Sequence, residues 1–157
     1  MKTTINRSTI LISLILIIIV VFTGLNMRAK VAGLTDGILS QCPDKANCVC
    51  SEHMNDSRHY VEPISFTQNS PAYTLSLLHE VIQELGGTVQ ATSENYLAAT
   101  FTSAIFRFVD DLEVRLDLAD NVIHIRSASR VGYSDLGVNK KRVESLRALF
   151  NTKLVGQ

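Results

Sequence analysis

No catalytic fingerprint is present in this chain. It has no glycine-rich phosphate loop after a strand, no HExxH helix and no Walker pattern, which removes the common nucleotide-binding and zinc-hydrolase signatures. Ser127 and Ser129 have no plausible histidine base fixed nearby in sequence, so a hydrolase triad is not indicated. There is no internal repeat, and no low-complexity tract outside the N-terminus, which excludes a solenoid. Basic excess is missing too: 15 basic residues balance 15 acidic ones. A nucleic-acid partner calls for a clearly basic domain, and none is expected here. No acidic residue precedes residue 34 whereas four basic ones do, so the rest of the chain is acidic by four.

What is present begins with an apolar run. From Ile10 to Leu25 the sequence is aliphatic apart from Ser13, Thr23 and Gly24. Ser8 through Met27 reaches the roughly 20 residues that cross a bilayer core, which predicts a transmembrane helix and the membrane as its partner. A cleaved signal peptide is the rival reading, since Lys2 and Arg7 form a basic n-region. Against it, the apolar run is long, and Val31-Ala32-Gly33 is a distant cleavage site beyond Arg28 and Lys30. No lipobox precedes Cys42, because Gln41 stands where a small residue is needed. At 157 residues the chain has room for one domain besides this leader. The division expected is an anchor and start of a tether over 1–33, a cysteine-containing tether over 34–58, and an α+β domain over 59–157. That domain is placed outside the cytoplasm, in the periplasm if the cell is Gram-negative.

Cys42, Cys48 and Cys50 fall within nine residues. Three readings stand: a disulfide in an oxidising compartment, free thiols, or a metal site formed with His53 and His59. The metal spacing matches none of the familiar zinc pairs, and no metal or cofactor is expected.

Residues 60–66 read as a strand, with Pro63 pointing to an edge. Ser70-Pro71 starts a helix, Leu75, Leu78, Val81, Ile82 and Leu85 form its apolar face, and Gly86-Gly87 ends it. Residues 88–92 and 96–102 form a hairpin around Ser93-Glu94-Asn95. Residues 109–118 alternate, with Leu112, Val114 and Leu116 on one face and Glu113, Arg115 and Asp117 on the other. Asp120-Asn121 turns the chain into 122–127, which continues the alternation. Residues 139–154 form a last helix lined by Val143, Leu146, Phe150 and Leu154, with Lys140, Lys141, Arg142, Arg147 and Lys153 making its other side basic. The order β-α-β-β-β-β-α predicts an antiparallel sheet with two helices on one face, the TATA-box-binding-protein-like topology. The opposite face, with Glu113, Arg115, Asp117, His124 and Arg126, is expected to be polar and open.

Charge concentrates in two places. Arg107, Asp110 and Asp111 enter the fourth strand; Arg126, Ser127, Ser129, Arg130, Tyr133, Ser134 and Asp135 leave the fifth. An antiparallel hairpin brings these groups together, and opposed Asp and Arg side chains pair bidentately. Three uses are open. The cluster can be a network that keeps the sheet end, loop and last helix in register. Arg126, Arg130 and Arg142 can receive a carboxylate or phosphate at the last helix's N-terminus. Paired aspartates can do acid–base work if one pKa is raised, which neighbouring arginines oppose.

Three elements stand in order: CPDKANCVCS, RFVDDLE and RSASRVGYSDLGVNKKR. Together they resemble domain-of-unknown-function family 1499, over about residues 39–155, a family of exported or membrane-anchored proteins. The resemblance implies that Cys42, Cys48, Asp110, Asp111, Arg126, Ser127, Ser129, Arg130, Gly132, Asp135, Gly137, Asn139 and Arg142 are motif positions. It also implies a Cys42–Cys48 pair, because Cys50 stands where the pattern shows serine. The function expected is a non-enzymatic, membrane-anchored module binding a small anionic ligand, lipid headgroup or envelope protein. The alternatives are an envelope hydrolase using Asp110 or Asp111, and a purely structural Asp–Arg network.

Overall fold

The computed structural model describes residues 6–28, 31–66 and 70–156. The chain forms two units, residues 1–30 and 31–157. The first contains α1 (Arg7–Arg28). Among the described residues no helix is long and apolar enough to cross a membrane, which corrects the transmembrane helix expected over residues 8–27. The apolar stretch of α1 proper covers residues 10–22. At 1.5 Å per residue it advances about 20 Å, short of the roughly 30 Å of a hydrocarbon core.

The second unit is α+β. Its elements are β1 (Leu34–Thr35), β2 (Ile38–Leu39), β3 (Cys48–Cys50), β4 (Ile64–Ser65), α2 (Pro71–Glu84), β5 (Thr88–Thr92), β6 (Tyr96–Thr102), β7 (Val109–Asp117), β8 (Val122–Ser129) and α3 (Val138–Val155). The main sheet runs β3-β8-β7-β6-β5, and every pairing in it is antiparallel. The edge beside β8 is shared by two short strands: Cys50 pairs with Arg126, and Ile64 with Ile123. The strand expected over 60–66 is thus only Ile64–Ser65, because Pro63 has no N–H to give a ladder.

Local chemistry explains the helix ends. The Ser70 hydroxyl accepts the Tyr73 amide at 3.2 Å, and Pro71 opens α2 with its fixed φ. Gly86 takes φ 86° just past the helix. A Cβ on Gly87 would lie 2.7 Å from side-chain atoms of Ile82 and Phe101, so a glycine lets β5 start against α2.

Alternation then sorts the sheet into two faces. Leu97, Ala99, Leu112, Val114, Leu116, Ile123 and Ile125 pack against Leu75, Leu78, Val81 and Ile82 of α2 and Val143, Leu146 and Phe150 of α3. The other face is not open. The β1–β2 hairpin and the segments on either side of β3 lie over it, and Leu39, Cys42, Cys48, Cys50 and Ala128 form a second small core against Tyr96. β1 and β2 make a hairpin around Asp36-Gly37, both with positive φ as a tight two-residue turn requires. Glu52 anchors this cover by accepting the Leu39 amide and the Arg115 guanidinium.

Candidate functional site: a charge frame at one end of the sheet

Successive side chains on a strand point to opposite faces, and this separates the two neighbouring aspartates of β7. Asp110 faces the helices, where Arg142 of α3 donates to its carboxylate at 2.6 Å. The same guanidinium reaches the Ser127 hydroxyl at 3.0 Å and lies 4.6 Å from the centre of the Phe101 ring. Asp111 lies on the covered face and takes a bidentate contact from Arg130, Nε at 3.0 Å and Nη2 at 2.8 Å. Both aspartates are buried.

Asn139, fully buried in the first turn of α3, joins three chain segments. Its amide nitrogen donates to the Asn47 carbonyl and the Ser129 hydroxyl, each at 3.0 Å, and its Oδ1 accepts the Ser127 hydroxyl at 2.6 Å. Asn47 in turn donates to the Gly132 carbonyl at 2.9 Å. Gly137, at the N-cap of α3, offers no capping side chain. Asp135 takes that role, accepting the amides of Gly137 at 2.9 Å and Asn139 at 2.8 Å.

Further along the covered face, Glu113 is buried and fully engaged. It accepts from Arg126 at 2.9 Å, the Tyr96 hydroxyl at 2.8 Å and the Gly33 amide at 2.7 Å. Burial, then the Glu113 carboxylate beside it, pushes the Tyr96 phenol well above its ordinary value. Burial likewise raises the Cys50 thiol, which keeps it protonated and unreactive.

Of the residues singled out in the sequence, Asp110, Asp111, Ser127, Ser129, Arg130, Asp135, Asn139 and Arg142 meet in this frame. Arg126 does not; it pairs with Glu113. Arg107 and Tyr133 sit on exposed loops outside it. The three arginines considered as one anion cradle face different ways: Arg142 is on the helix side, Arg126 and Arg130 on the other. Asp110 and Asp111 cannot share a proton from opposite faces, and each already meets an arginine. Asn47, Glu113 and Phe101 were not among the expected site residues. Asn47 and Glu113 stand inside the CPDKANCVCS and RFVDDLE elements, which was the available signal; for Phe101 there was none.

The cysteines resolve in the same region. Cys42 and Cys48 are disulfide-bonded, with Cα atoms 5.7 Å apart, and Cys50 is free and buried. A bonded pair has no thiolate to offer a metal, and His53 and His59 bond instead to the carbonyls of Leu39 and Lys45 at 2.8 and 2.9 Å. Among the described residues no three His, Cys, Asp or Glu side chains converge on a metal position.

Residues 38–150 match the family described as Protein of unknown function (DUF1499). No curated protein matches the chain.

Proposed function

We propose that this chain, which belongs to the DUF1499 family of proteins of unknown function, is an extracytoplasmic, non-enzymatic binding module whose motif is an internal frame. The observation that carries the reading is the engagement of Asp110 by Arg142 and of Asp111 by Arg130. Carboxylates whose oxygens are already taken up by charge-assisted guanidinium hydrogen bonds make good fasteners. They fasten α3 and the β8–α3 loop to the sheet, and the loops so held carry the exposed, chemically distinctive side chains. The Cys42–Cys48 disulfide supports an oxidising compartment.

Photo-crosslinking in the producing cells tests this. A benzoylphenylalanine at Phe106 or Tyr133, on the framed loops, is expected to form adducts. The same group at Leu118, in the β7–β8 turn at the far end, is expected to form none. Adducts at Leu118 alone, or at no position, would leave the frame as a purely structural device.

A further inference from the structure

The β6–β7 loop and the β8–α3 loop leave the sheet side by side, because β7 lies between β6 and β8. Both are apolar at their tips: Ile105 is 82% exposed, Phe106 67%, Tyr133 68% and Leu136 96%. Large side chains this exposed on two adjoining loops are uncommon on a solvated surface. Leu136 is also held at φ 55°, a conformation that is strained for a branched side chain. The frame maintains it: Asp135 fixes the Gly137 amide and the Ser134 hydroxyl accepts the Leu136 amide at 3.3 Å. Folding energy is thus spent on keeping a leucine in water.

Exposed cations rim these tips, and the acidic Asp44 beside the β8–α3 loop is ion-paired with Arg58. Arg107, Lys140 and Lys141 are exposed beside them. The acidic side chain of the β8–α3 loop, Asp135, is turned inward onto backbone amides. Apolar tips with a cationic rim match the two layers of an anionic bilayer surface, acyl chains below and negative headgroups above. A folded protein partner would need a pocket for each separate tip, whereas a bilayer accepts all of them at once.

We propose that this end of the domain docks on an anionic lipid bilayer by inserting the tips of the two loops. The inference rests on the binding reading above and names its partner. Arg142–Asp110 and Arg130–Asp111 then act as the rigid base that keeps the tips extended.

The chain contains no tryptophan, so one introduced residue reports alone. Full-length Phe106→Trp, Leu136→Trp and Leu118→Trp proteins are mixed with phosphatidylglycerol-containing vesicles that also carry brominated acyl chains. Emission is expected to shift to the blue and be quenched at positions 106 and 136, and to stay unshifted and unquenched at 118. This contrast holds whatever part of the chain brings it to the vesicle. Lys140→Gln with Lys141→Gln should lower loop partitioning about 30-fold, at about 1 kcal/mol per cation. Equal signals at all three positions, or none at 106 and 136, would overturn bilayer docking. Adducts to a protein at Phe106 in cells, with no quenching at 106, would overturn it while sparing the broader binding reading.

Discussion

The two faces of the main sheet are held by different forces. On the helix side, an apolar core of aliphatic side chains and Phe150 packs against α2 and α3. On the other, a smaller core around a disulfide shares the surface with buried Glu113, Arg126 and Asp111. The first face depends on area removed from water. The second depends on geometry, since a buried ion pair offsets its desolvation only when its hydrogen bonds are complete. Asp110 and Asp111 carry one ionic fastener to each face, so the motif ties both layers to the same strand.

Substitutions on the two faces should therefore differ in kind. Phe150→Ala, on the helix face, should cost about 3–5 kcal/mol in chemical denaturation by leaving a cavity. A loss under about 1 kcal/mol would show that this face does not carry the fold. Replacing Cys42 and Cys48 together by serine should cost about 2 kcal/mol, the closure entropy of a short loop. Amide exchange should then rise in residues 31–58 and stay unchanged in α2; a uniform rise would erase the distinction between the faces.

The smallest effect concerns protonation. His124 lies on the covered face, near Glu52, Arg115 and Asp117; burial lowers its pKa, and Glu52 only partly offsets this. The unfolded chain binds the proton more tightly, so stability falls as pH drops below the unfolded value near 6.5 and through the lowered folded value. His124→Gln should flatten the stability curve in that window, and an identical slope would remove His124 from the account.

The same contrast explains what was legible in the sequence. The helix face was written in periodicity: three- and four-residue spacing marked α2 and α3, and alternation marked β7 and β8. The covered face was not, because its cover is made of strands of two or three residues, too short to show a period. Asp36-Gly37 between Leu34-Thr35 and Ile38-Leu39 was a usable hairpin signal. Polarity at Glu113, Arg126 and His124 suggests a solvated face, whereas Glu113 and Arg126 are buried as an ion pair and His124 meets Ser51, all beneath the N-terminal cover. Hairpin pairing placed the Asp and Arg clusters together; the one-residue offset between Asp110 and Asp111 already implied that they take different arginines. The apolar N-terminal run falls short of a span, because the 20 residues from Ser8 to Met27 include polar and small residues near both ends.

The most direct measurement of the frame is a pair of double-mutant cycles on thermal and chemical stability, Asp110→Ala with Arg142→Ala and Asp111→Ala with Arg130→Ala. Each cycle should give a coupling of about 1–3 kcal/mol, and Asp110→Ala combined with Arg130→Ala, whose side chains lie on opposite faces, should give a smaller one. Additivity within either Asp–Arg pair would contradict the frame.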